Sequence, residues 1–418
     1  MILSLLKQKP IIYFLFYITF ILSFILGENS SGGSLNDSSV MQIYQEQLAN
    51  NLQNGIIFFI ETKMVHSPIF YIIKSTLENF LSKLSSDLIF LTLSFLIPVI
   101  FYSILKKQFR GLDKNLLFAI SLVLYFSPYI RSSAVWATND NIAVLFFVLS
   151  LSKFLTYTKK QDNNLKDIFL SFFYLVIAAY IRQYYIIIAV AYAVLLFRKI
   201  EIKIFFYIIL FNSLLLIPMI LYTYNYLLSS SNYVLKGFAK PDLIFSPLVF
   251  FTMYLFYMFP FFFQSENYKK IKEFFKDEKI FFFITTIIFI FIFFYYELPQ
   301  NKYGGGIIYK ISQLIDSNLF FIFLSYIGGI LILLTINFNF KNLLVLFVFC
   351  FMFPFATVYQ KYFDPLMIII FFGMIKSNLI YNNINLKKIN INLIFCYFII
   401  FLIGANIYYY LLLKNYLS

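Results

Sequence analysis

The stretch IFFFITTIIFIFIFFYY, residues 280–296, decides the fold class. It carries no charge, and its apolar and polar side chains do not alternate. That rules out a strand of a transmembrane barrel, whose segments of about ten residues face lipid and lumen in turn. As a helix it is long enough to reach across most of a hydrocarbon core about 30 Å thick. Similar runs recur along the chain. The 418 residues are 61% hydrophobic and 12% charged, with a mean hydropathy of +0.82. A soluble domain carries about twice that charged fraction, and a globule must still cover itself with polar groups. The sequence therefore predicts an all-α polytopic membrane protein with about 11–13 transmembrane helices. It reads as one integral membrane domain over 1–418, with 28–86 as a first outer loop and 87–418 as the remaining helices and loops.

The formal net charge of +14 is a topology signal and excludes a nucleic-acid partner. With the N-terminus inside, the inner loops include KKQFRGLDK (106–114), KKQDNNLKD (159–167), RKIEIK (198–203) and NYKKIKEFFKDEK (267–279). Most Lys and Arg then lie on one side, as the positive-inside bias requires. The first apolar run, about 11–27, has no clear small-x-small cleavage site after it and is expected to be a retained span. Cys350 and Cys396 both lie in apolar runs and make neither a metal spacing nor a disulfide framework.

The outer face, which includes a loop expected at 129–140, holds the chemistry. In the loop GGSLNDSSVMQIYQEQLANN (32–51), Asp37 precedes an amphipathic run that Ser38 and Ser39 can cap. A second amphipathic run, interrupted by Lys74, Glu78 and Lys83, follows Pro68, so two interfacial helices are expected in this loop. Further along come His66, the single histidine, then Arg131, Asp140, Arg182 with Gln183, Lys240, Lys302, Lys361 and Asp364. Arg182 lies between two short apolar segments in AAYIRQYYIII (178–188). There it needs water or an anion, either a structural carboxylate such as Asp140 or a phosphate held bidentately. Gly304–Gly306 can offer backbone N–H groups to an anion. A divalent metal on Asp37 and Asp140 is allowed but not required, and no metal-ligand set is expected.

The order of these features resembles the GT-C superfamily of membrane glycosyltransferases. The resemblance is carried by Asp37, Tyr44, Ala49 and Gly55, then HSPIFY (66–71), WATNDNIAVLFF with Asp140, and Arg182 two spans on. It is nearer to the α-1,2-glucosyltransferase family that completes the lipid-linked N-glycan precursor. That family's RQTN reads RQYY (182–185) here, and its late RYF-x-x-P turn reads KYFDP (361–365). The family's paired acids become Asp37-Ser38, and Lys361 stands where its late Arg would be. These departures bear on the sugar and linkage more than on the reaction type. The resemblance implies a GT-C fold and hexose transfer from a polyprenyl- or dolichyl-phosphate sugar to a hydroxyl of a glycan or lipid-linked acceptor, with inversion. Asp37 would be the catalytic base. Arg182, Lys361 and Lys240 would hold the donor phosphate, and His66, Tyr71, Asp140, Gln183 and Lys302 the rest of the substrates. It further implies a site facing the periplasm from a bacterial inner membrane, or the lumen from an endoplasmic reticulum membrane. A polysaccharide polymerase or ligase and a lipid-linked glycan transporter are the alternatives; a transporter would place charges at the bilayer midplane.

Overall fold

The computed structural model describes residues 8–62, 64, 66–159, 164–197, 199–229, 242–262, 279–299, 304–353, 358–385 and 389–417. It is 83% helical and without strands among these residues. Six described helices are long and apolar enough to cross a membrane, and two bent helix pairs raise the number to eight if each is one span. The chain is thus a multi-pass membrane protein, with six to eight helices of full spanning length among the described residues against the 11–13 expected. The difference lies in short apolar helices such as Lys9–Ile25, Gln183–Leu196, Lys279–Tyr295 and Phe340–Cys350. The stretch quoted at the outset is one of these, a 17-residue helix that rises about 25 Å against a core of about 30 Å.

The chain divides into two compact units. The first comprises Met1–Arg110, Leu117–Leu235 and Phe398–Ser418. Its helices are α1 (Lys9–Ile25), α2 (Ser39–Asn50), α3 (Leu52–Glu61), α4 (Ile69–Phe80), α5 (Lys83–Gln108), most of α6 (Lys114–Leu122), α7 (Pro128–Val135), α8 (Asn139–Lys159), α9 (Leu165–Ile181), α10 (Ile186–Leu196) and α11 (Ile202–Ser229). α8 is the central strut, flanked by α5 and α9. Its first turn carries Asp140 and its last Lys159, so each charge opposes the partial charge of its helix end.

Two expectations for the outer loops change. Residues 129–140, expected to be loop, instead hold α7. Ser127 caps it by accepting the Ile130 N–H at 3.1 Å, and Pro128 at its start suits a position with no N–H to satisfy. The first loop contains three helices rather than two. Asn51 has an extended backbone that ends α2, and its side chain caps α3 by accepting the Asn54 N–H at 2.9 Å. Ser38 makes no capping bond; a π-helical turn, Gly33–Ser38, leads directly into α2. Val40 and Ile43 on α2, Ile57 and Ile60 on α3, and Ile73 and Phe80 on α4 remain exposed. Such apolar residues on polar-faced helices suit an interfacial position.

A buried ion pair fastens the end of α1 to α7. Arg131 Nε donates to both Glu28 carboxylate oxygens, at 3.1 and 2.9 Å, and its Nη2 lies 2.9 Å from Oε2. The same Nη2 also donates to Ser23 Oγ, and Trp136 Nε1 donates to the Glu28 carbonyl at 2.9 Å. Arg131 is thereby a structural residue. Burial pushes the Glu28 carboxyl up, but the charge and hydrogen bonds of Arg131, with those of Ser23 and Ser30, hold it below its ordinary 4.5. A lowered folded value means stability that is complete above the unfolded value and lost as pH falls through the folded one. Thermal stability is therefore expected to fall as pH drops below about 4.5, and Glu28→Gln should flatten that part of a melting-temperature profile.

The second unit comprises Gly111–Leu116 and Lys236–Tyr397. It contains α12 (Phe245–Phe262), α13 (Lys279–Tyr295), α14 (Gly306–Leu314), α15 (Asn318–Thr335), α16 (Phe340–Cys350), α17 (Leu366–Gly373), α18 (Asn378–Asn385) and the start of α19 (Ile391–Leu417). α12 and α15 form its main pair. Their approach depends on Gly328, where an added Cβ would lie 2.0 Å from the Phe251 carbonyl oxygen. Small residues allow such backbone contact between apolar helices. Gly328→Val is expected to lower stability by about 1–3 kcal/mol or more, read as a lower melting midpoint of the detergent-solubilised protein.

Candidate functional site

Arg182 lies where α9 stops. Its backbone is extended, and a short 3-10 turn, Gln183–Tyr185, intervenes before α10 restarts. The helix end turns the side chain inward, and it is only 5% exposed. Its Nη2 is 2.6 Å from Asp140 Oδ1, and its Nη1 donates to His66 Nε2 at 2.7 Å. A guanidinium only donates, so the imidazole nitrogen that it meets has to offer a lone pair. The three residues come from three distant parts of the sequence and form one chain of contacts, Asp140–Arg182–His66. The structural carboxylate that Arg182 needs is therefore present.

Tyr71 links this chain of contacts to Asp37. It lies one turn into α4, is fully buried, and packs edge-on to Phe59 at 5.0 Å and Phe70 at 5.8 Å. Among the described residues its hydroxyl has no hydrogen-bond partner. Burial raises its phenol pKa well above the ordinary value; the nearby Arg182 charge opposes this, and Asp37, Asp140 and Tyr44 add to it. Asp37, Asp140 and Arg182 thus each act on Tyr71, and all four residues belong to the first unit. Asp37 itself is half-buried in the π-helical turn. That turn is pressed onto α7 at Gly33, where a Cβ would come 2.8 Å from Ser132 Oγ and 3.3 Å from the Trp136 ring. Gln183 is half-buried in the 3-10 turn directly after Arg182.

Three further polar groups escaped the sequence reading. Ser132, Thr138 and Asn139 lie in or just after α7, next to Asp140. All are buried, and the Ser132 and Thr138 hydroxyls and both ends of the Asn139 amide lack hydrogen-bond partners among the described residues. Buried polar groups left without partners are uncommon and call for a specific account. Their sequence signal was weak, because WATND reads as an ordinary polar loop. Lys74 also departs from expectation. Read as a charge interrupting an amphipathic run, it is instead buried, 3.3 Å from Asp87 and 3.8 Å from Glu78, and donates to the Ala137 carbonyl at 3.4 Å. It latches α4 to the turn that precedes Asp140. The i,i+4 spacing of Lys74 and Glu78 was the legible sign of pairing.

The other candidate positions are placed differently. Lys240 and Lys302 lie outside the described residues. Lys361 belongs to the second unit, in a 3-10 turn, with its ammonium 5.9 Å from the Tyr359 ring centre. Nearby, Gln360 donates to the Tyr257 hydroxyl at 2.9 Å and accepts the Ile307 N–H at 3.0 Å. The Gly305 N–H is taken by the Val358 carbonyl at 2.7 Å. Of the glycine run's N–H groups, that of Gly305 is therefore used within the fold, as is that of Ile307 just after it. Among the described residues no three His, Cys, Asp or Glu side chains gather as a metal site would require. No family model, curated protein or solved structure matches this chain.

Proposed function

We propose that the chain is a GT-C-type glycosyltransferase that moves a hexose from a polyprenyl-phosphate sugar to an acceptor hydroxyl, with inversion. The observation that carries this reading is the contact chain Asp140–Arg182–His66, with Asp140, Arg182 and Asp37 all acting on the buried Tyr71. Asp37 takes the proton of the acceptor hydroxyl as its oxygen attacks the anomeric carbon. The bond from that carbon to the phosphate oxygen breaks, and the lipid phosphate leaves with the electron pair. Arg182, held on one side by Asp140 and on the other by His66, presents an oriented guanidinium to the developing charge. Its ion pair with Asp140 reduces its net pull on a phosphate but fixes its direction. The buried Ser132, Thr138, Asn139 and Tyr71 groups supply hydrogen-bonding capacity suited to a hydroxyl-rich ring. The exposed apolar residues of α2–α4 suit a donor that approaches along the membrane.

Membranes containing the full chain, supplied with polyprenyl-phosphate sugars labelled in the sugar, are expected to transfer label to a lipid-extractable or glycan acceptor. The same membranes supplied with nucleotide sugars, and with endogenous lipid-phosphate-sugar synthesis blocked, should not. Transfer from the nucleotide sugar alone would sink the donor assignment.

A further inference from the structure

Another cluster lies at the opposite end of α1 from Glu28. Lys9 opens α1 and Lys106 lies in the last turn of α5. Both ammonium groups converge on one ring: each is 4.7 Å from the centre of Tyr102. Lys9 also donates to the Tyr102 hydroxyl at 2.6 Å and stands 5.5 Å from the Phe118 ring. Tyr13, one turn along α1, packs edge-on to Phe118 at 5.1 Å, and its buried hydroxyl has no hydrogen-bond partner among the described residues. The neighbouring Lys107 points elsewhere, donating to Ser152 Oγ at 2.7 Å and to its carbonyl at 2.9 Å.

Among the described residues no carboxylate pairs with Lys9 or Lys106. Two like charges held against one aromatic ring repel each other, and the ring's negative face answers only part of that repulsion. An anion between them would remove the conflict. The site lies where two apolar helices end, which is head-group depth in a bilayer. We propose that Lys9, Lys106 and Tyr102 form a binding site for the phosphate of an anionic phospholipid, with the acyl chains running along α1 and α5. This site stands apart from the reaction proposed above.

The test uses the full chain in detergent, with phosphatidylglycerol and phosphatidylcholine of matched chains offered together and the retained lipid counted by native mass spectrometry. The wild type should retain phosphatidylglycerol preferentially. Lys9→Gln/Lys106→Gln should lower that retention on the order of tenfold, since one lysine near an anionic surface contributes about fivefold. Lys166→Gln/Lys203→Gln removes equal charge from two exposed lysines at other helix starts and should leave retention unchanged. Equal losses in both double variants would reduce the effect to net charge and overturn the site, as would wild-type retention in the first. Displacement of the lipid by millimolar inorganic phosphate would assign the site to free phosphate and overturn the lipid assignment. If the Lys9 variant does not fold, Lys106→Gln alone, at an exposed position, should still lower retention severalfold.

Discussion

Asp37→Asn is expected to lower the proposed glycosyl transfer by about 10²–10⁴-fold, the range a positioned general base supplies. Asparagine has nearly the shape of aspartate, so the π-helical turn and its contact with α7 should survive. What is lost is the capacity to take a proton. The expected signature is a fall in initial rate at saturating donor, with protein yield and melting midpoint preserved. Asp37→Glu, which keeps the carboxylate but moves it, should retain part of the rate. An unchanged rate in Asp37→Asn would remove the base assignment, even with transfer itself established.

Arg182→Leu is expected to act on both stability and rate. It leaves the Asp140 carboxylate, at 19% side-chain exposure, without its cation, and it removes the donor to His66. Breaking a buried ion pair costs about 3–5 kcal/mol; the partial access of Asp140 to water places the expected loss at the lower end. On the rate, losing an oriented donor to a developing negative charge costs about 10²–10³-fold. The two effects separate in the double variant Arg182→Leu/Asp140→Leu. Removing both charges should restore most of the melting midpoint, because an apolar pair is tolerated where a lone charge is not. It should not restore transfer. Recovery of transfer together with stability would show that the pair only supports the fold.

Particular residues show how far the sequence could be read. The break at Arg182 was legible, since an arginine between two short apolar runs cannot continue a lipid-facing helix at tolerable cost. The amphipathic runs of the first loop were legible from helical spacing, but the Asn51 cap that inserts a third helix between them was not. The pairing of Arg182 with Asp140 was legible only as one of two options, a carboxylate or a phosphate, and the approach of His66 to Arg182 was not legible. The three residues are separated by 42 residues on one side and 74 on the other, and a sequence pattern of local period carries no information about such contacts. Lys74 misled for a related reason. A charge on an amphipathic helix reads as solvated, and only the packing of α4 against α5 and the turn before α8 provides the two carboxylates and the carbonyl that let it be buried.

By itself the sequence determined that this is an all-helical, multi-pass membrane protein, because uncharged runs of this length and period admit no other way to satisfy the backbone in lipid. It also determined where helices had to pause, because charges, prolines and cap residues act locally. Tertiary structure decided which apolar runs reach full spanning length and which stop short. It made Arg131 a structural partner of Glu28, and it paired Arg182 with Asp140 while placing both near Tyr71. Those outcomes depend on burial and on the meeting of distant side chains. A buried charge takes its role from the partner that packing brings to it, and that partner is fixed only when the helices assemble.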